Sequence, residues 1–119
     1  MIRGIRGAIT ARSNSTRDIV DSTIRLLKEI VEVNKIKEGD IASVIFSATK
    51  DLNAEFPAKA ARIMGWNDIP LFCAQEIAVP KSLKKCIRVL LHVNTGKTQK
   101  AVKHIYLEGA KALRKEFNS

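Results

Sequence analysis

The sequence predicts an α+β fold, a mixed five-stranded sheet with one long helix. Three observations carry this. Five short runs alternate β-branched and aliphatic residues with the period of a strand. One long stretch, 15–34, repeats its apolar residues at helical spacing. The run 41–49 is apolar on both faces, so both faces call for cover, and one helix supplies only one.

Residues 1–10 read as the first strand. Ile2, Gly4, Arg6 and Ala8 share one face; Arg3, Ile5, Gly7 and Ile9 share the other. Glycines inside a strand mark a bulge or a close approach. Ser15 is placed as an N-cap with Asp18 as its partner three residues on. A helix then runs to about Asn34, with Ile19, Thr23, Leu26, Ile30 and Val33 in one row and Val20, Ile24, Leu27 and Val31 in the next. Gly39 is the expected breaker. The second strand is 41–49. Pro57 opens a short helix, 57–64, that Gly65 ends. The third strand is 69–77, with Pro70 arguing for its start or for a sheet edge. The turn Pro80-Lys81-Ser82 suggests a hairpin-like, antiparallel return into the strand 84–93. One helical turn is expected at 98–103, a short strand at 104–107 and a helical tendency over 108–119.

The length of 119 residues suits a single domain, 1–119. Lys and Arg number 21 against 12 Asp and Glu, a formal charge of +9 that points to an anionic partner. Nucleic acid fits poorly, because the lysines are scattered and the six aromatics fall mostly in apolar contexts. No run approaches the roughly 20 apolar residues of a membrane span, and no signal-peptide core is present, so a cytoplasmic protein is expected. Cys73 and Cys86 make no disulfide framework. His92 and His104 stand apart with no metal-ligand spacing, so no metal is expected.

The strand 84–93 holds the most informative residue. Ile87, Val89, Leu91 and Val93 point one way; Cys86, Arg88, Leu90 and His92 point the other. Arg88 is thus a guanidinium in an apolar strand. It is either half of a structural ion pair or a group that awaits an anion. Arg6, Arg114 and Glu76 also lie on or beside strands, and arginine forks onto carboxylates bidentately. No nucleophile–base pair, phosphate loop or dinucleotide fingerprint is visible. An enzyme built this way would need no covalent or proton-transfer step.

Five blocks in order, "IRGIRGAIT" at 2–10, "SATKDLNAEFPAKAAR" at 47–62, "CAQE" at 73–76, "LKKCIRV" at 83–89 and "HIYLEGA" at 104–110, resemble the monofunctional, barrel-type chorismate mutases of bacteria. The resemblance implies a homotrimer whose strands form a pseudo-α/β barrel, with active sites at the subunit interfaces. It implies the cofactor-free Claisen rearrangement of chorismate to prephenate, on the route to phenylalanine and tyrosine. A binding or imine-deaminating trimer of similar barrel fold is the runner-up.

By the same resemblance, Arg88 would bond the ether oxygen as it leaves. Arg6 and Tyr106 would hold substrate carboxylates, and Glu76 would receive the ring hydroxyl with Cys73 beside it. Arg88, Glu76 and Arg6 are the expected catalytic set. Phe72, Ala74 and Gln75 join the binding set, in which Phe56, Ala58, Lys59, Arg62 and Leu71 form a wall given by the neighbouring subunit. Leu113 and Arg114 belong to a tail that closes near the mouth. Phe72 replaces a small hydroxyl residue of some members, so its backbone is what would serve. The tail reads Leu-Arg-Lys-Glu-Phe where Leu-Arg-Pro-Asp-Leu is familiar.

Overall fold

The computed structural model describes residues 1–116. The first strand, β1, is Ile2–Thr10, and the long helix, α1, is Thr16–Asn34. Strand β2 is Ile41–Ala48, the short helix α2 is Ala58–Ile63, and β3 is Leu71–Gln75. Strand β4 is Cys86–Asn94 and β5 is Ile105–Leu107, followed by a 3-10 turn, Glu108–Ala110, and the helix α3, Lys111–Glu116. Residues 117–119 of the expected C-terminal helical stretch lie outside the described residues. The sheet is mixed, in the order β3-β2-β4-β1-β5.

Helix α1 starts and stops for identifiable reasons. The Ser15 side chain accepts a hydrogen bond from the Asp18 N–H at 3.1 Å, as an N-cap does. The Asp18 carboxylate does not complete a capping box; it accepts from the Ser13 hydroxyl at 2.6 Å. The helix ends at Asn34, ahead of Gly39. Lys35 takes the left-handed conformation, φ 52°, and its N–H returns to the Glu32 carbonyl. Ile19, Leu26, Leu27 and Ile30 are fully buried against the sheet, together with Ile5, Ile9, Phe46, Ile87 and Leu91 from the strands. Gly7 lies where α1 presses closest. A Cβ there would stand 2.6 Å from Ile30 Cδ1 and 3.2 Å from Leu26 Cδ1.

Two expectations about connections fail. Strands β3 and β4 form no hairpin: β3 runs parallel to β2 at the sheet edge, while β4 lies antiparallel between β2 and β1. The connecting loop crosses the end of β2, with Lys81 and Lys85 at positive φ. Thr49 and Asp51 hold its end. The Thr49 hydroxyl accepts from the Cys86 N–H at 3.0 Å, and the Asp51 carboxylate from the Lys85 N–H at 2.9 Å. Residues 98–101 form a hydrogen-bonded turn in place of a helical segment.

Candidate active site

Helix α1 covers one face of the sheet, and strand register decides what stands on the other. Arg6 is opposite Leu90, Leu90 opposite Ile45, and Ile45 opposite Phe72. The next row reads Tyr106, Ala8, Arg88, Ser47 and Ala74. Residues opposite one another in a ladder share a face, so five strands bring these side chains together. Ile45 and Phe72 leave 39% and 66% of their surface exposed, so this part of the face is uncovered among the described residues, whereas Ala8, Cys86 and Tyr106 are packed under Ala110 and Leu113.

Arg6, Arg88, Ser47, Gln99, His104 and Tyr106 line a concavity of about 550 Å³ on this face. Arg88 is paired with Glu76, Nε to Oε2 at 3.5 Å, and both side chains are largely but not wholly withdrawn from solvent. The Ser47 hydroxyl donates to the same carboxylate oxygen. The Glu76 N–H bonds the Ala48 carbonyl at 2.9 Å, which extends the β2–β3 pairing by one residue and fixes where the carboxylate starts. Two buried polar atoms, Arg88 Nε and the Tyr106 hydroxyl, have no hydrogen-bond partner among the described residues. Such groups are costly unless something completes them. An oxygen-rich ligand in the concavity would. The Tyr106 ring carries the Arg114 guanidinium over its face, 5.9 Å from the centroid, and packs with Ala8, Cys86, Ala110 and Leu113.

Burial pushes the Cys86 thiol up to about 11, so it offers no thiolate at neutral pH. Burial, and then the Arg6 charge, hold His104 below the ordinary histidine value, so its ring is neutral at pH 7. One nucleophile–base contact escapes the sequence: the Ser43 hydroxyl lies 3.0 Å from His92 Nδ1. Among the described residues no carboxylate orients the other nitrogen of that ring, so the pair lacks the third member of a working triad. Nor do any three His, Cys, Asp or Glu side chains, among the described residues, come together as a metal site.

The expected site residues divide into two groups. Arg6, Arg88 and Tyr106 line the concavity; Glu76 meets it through Arg88 and Ser47, Leu113 and Arg114 lie against Tyr106, and Phe72 and Ala74 stand further along the same face. Cys73 and Gln75 alternate to the other face and line a second hollow, of about 420 Å³, with Phe56. Leu71 pairs with Val44 and turns toward the core, and Ala58 is buried inside it. Lys59 and Arg62 stand exposed on α2, with Lys59 3.7 Å from Glu55. Ser47, Gln99 and His104 are the site residues that sequence reasoning missed. Ser47 could have been found from the alternation of β2. The other two reach the site through contacts distant in sequence.

Arg6 and Arg88 in the concavity, with Arg114 over the Tyr106 ring and Glu76 already engaged by Arg88, define a class: an α+β protein whose open sheet face is chemically suited to a small, multiply charged anion. Comparison with known proteins narrows the class. The family model described as chorismate mutase type I matches residues 2–117. The chorismate mutase AroH of Bacillus subtilis (strain 168) is 44% identical, over 99% of this chain and 94% of that protein. The chorismate mutase AroH of Thermus thermophilus is also 44% identical, over 100% and 98%. A solved chorismate mutase from Clostridium thermocellum superposes with a TM-score of 0.90 at 56% identity, covering 92% of this chain and 97% of that one. The chain belongs to the type I, monofunctional bacterial chorismate mutase family and is an enzyme of that kind.

Proposed function

We propose that this chain, working as a single domain over 1–119, rearranges chorismate to prephenate at the Arg6–Arg88–Tyr106 concavity. One observation carries the reading. Two buried donors without a hydrogen-bond partner among the described residues, Arg88 Nε (ion-paired with Glu76 at 3.5 Å) and the Tyr106 hydroxyl, belong to a hollow that Arg6 also lines. A dicarboxylate with an ether oxygen supplies acceptors for all of them.

The reaction is an isomerisation. One carbon–oxygen bond breaks, one carbon–carbon bond forms, and no proton need move. What remains for the protein is to hold the compact reactive conformer and to stabilise charge. Arg6 and Tyr106 clamp carboxylates, which converts conformational freedom into orientation. Glu76, held by Ser47 and Arg88, accepts the ring hydroxyl. The Arg88 guanidinium faces the ether oxygen, where negative charge grows as the bond breaks. A fixed cation there favours the transition state over the ground state.

The exposed Ile45 and Phe72 on the arginine face, and the exposed Phe56 at the second hollow, support a trimer, since a neighbouring chain that covers the arginine face would bring the wall residues to the arginine row. In that assembly the Phe56, Cys73 and Gln75 hollow of one chain completes the concavity of the next. We place the enzyme in the cytoplasm; no helix among the described residues is long and apolar enough to cross a membrane. Following chorismate by its ultraviolet absorbance, with the product identified by proton NMR, tests the reading. Stoichiometric prephenate is expected. Loss of chorismate at no more than the uncatalysed rate would overturn it.

A further inference from the structure

Strand β5 pairs with β1 only from Gly7 to Ile9. The part of β1 that carries Arg6 therefore leaves its outer edge to be completed by something else. Side chains of the 95–104 segment do this. Gln99 binds both main-chain groups of Gly4, donating to its carbonyl at 2.6 Å and accepting from its N–H at 3.0 Å. His104 Nδ1 accepts from the Arg6 N–H at 2.9 Å. The segment is itself anchored. The buried Asn34 side chain donates to the Lys103 carbonyl at 2.9 Å and accepts from the Lys103 N–H at 2.8 Å, and Lys97 Nζ bonds the Asn34 carbonyl at 2.9 Å. The histidine thus arrives at Arg6 from a pinned main chain.

We propose that His104 is a positioning residue for substrate binding: its neutral ring, accepting at Nδ1, fixes the main chain from which Arg6 reaches the substrate. Only the neutral ring can do this. In the imidazolium both nitrogens are donors, and a donor would then face the Arg6 N–H. The surroundings keep the ring neutral. Arg6 on β1 is the charge that acts on it. Arg88 on β4 and Tyr106 on β5 line the same concavity, and Lys103 precedes it in the chain. The carboxylate of the site, Glu76, is occupied by Arg88 and Ser47. The inference rests on the functional reading above, since it concerns how Arg6 is presented to chorismate.

The test compares His104→Asn and His104→Ala with wild type in kcat and KM for chorismate between pH 5 and 8. The asparagine oxygen can occupy the place of Nδ1 and does not titrate. His104→Asn should keep KM within about twofold at pH 7.5, whereas His104→Ala should raise it roughly tenfold with a smaller change in kcat. Wild-type kcat/KM should fall as the pH drops below the ordinary histidine range, and His104→Asn should lack that fall. In the wild type, the Arg6 amide resonance should titrate together with the His104 ring. An unchanged KM in folded His104→Ala, or an acid limb that persists in His104→Asn, would overturn the proposal. Should the alanine variant fail to fold, the asparagine pH profile decides alone. A wild type inert toward chorismate would sink the functional reading instead, and the titration of the Arg6 amide would still report on the contact.

Discussion

Replacing Arg88 by alanine separates the two roles open to it, because their magnitudes differ. As an ion-pair partner Arg88 meets Glu76 at 3.5 Å, and its side chain keeps 36% of its surface exposed against 23% for Glu76. Solvent screens such a pair, which contributes about 0–1 kcal/mol. Glu76 also keeps the Ser47 hydroxyl after the arginine is gone. The variant should therefore fold, with Tm lowered by no more than about 4–8 °C. As the electrostatic partner of a developing oxyanion the same guanidinium is worth roughly 10²–10³ in turnover or more, about 3–4 kcal/mol. Arg88→Lys keeps the charge without the planar fork and should recover part of the loss. KM should change less than kcat, because the ether oxygen gains its charge only on the way to the transition state. Arg6→Ala should do the reverse and raise KM strongly, since carboxylate binding is common to both states. The assay is chorismate loss by absorbance, with both constants measured on variants whose circular dichroism matches wild type. Wild-type turnover in Arg88→Ala would refute the reasoning and leave Arg88 a structural ion-pair partner.

Turnover itself should be flat from about pH 6.5 to 8.5, since no proton transfer is needed; a bell-shaped kcat would contradict the pericyclic reading. Folding stability has a sign fixed by His104, whose pKa in the folded chain lies below its ordinary 6.5. Its contribution is complete above that value and is lost as pH falls through the folded pKa, which denaturant titrations at pH 7.5 and 5.5 would register. Sedimentation equilibrium at micromolar concentration should give three times the 13.2 kDa chain mass, and a fully active monomer would remove the shared site. Gly7→Ala forces a methyl group against Ile30, Val89 and Leu26 and should cost about 1–3 kcal/mol in denaturant unfolding; an unchanged midpoint would mean that α1 can lift away.

What could be read in the sequence was what local period encodes. The alternation of 84–93 placed Ile87, Val89, Leu91 and Val93 on the buried face and Arg88 on the other, as found. The apolar rows of 15–34 gave α1 to within a residue at each end. The partner of β3 was hidden, because a ten-residue loop with two left-handed lysines looks locally like a turn and says nothing about which strand it crosses. The end of α1 near Asn34 was legible but its cause was not, since a lysine that takes the left-handed region leaves no mark in the sequence and Gly39 looked like the breaker. The concavity was half legible. Strand patterns singled out Arg6, Arg88 and Glu76 and the family resemblance added Tyr106; the register brings Arg6, Arg88 and Tyr106 to one face, where Arg88 meets Glu76. Asn34, Gln99 and His104 act across 69 to 98 residues of sequence, and no periodicity signals a side chain that completes the edge of a distant strand.

The central claim is that the Arg88 concavity is complementary to the rearrangement's transition state. Its most direct test is calorimetric binding of a rigid bicyclic dicarboxylate ether, which mimics that transition state, beside prephenate. Wild type should bind the mimic at least about 10²-fold more tightly than the product, and Arg88→Ala should lose most of that preference. Equal preference in both proteins, or a mimic bound no better than prephenate, would contradict the account.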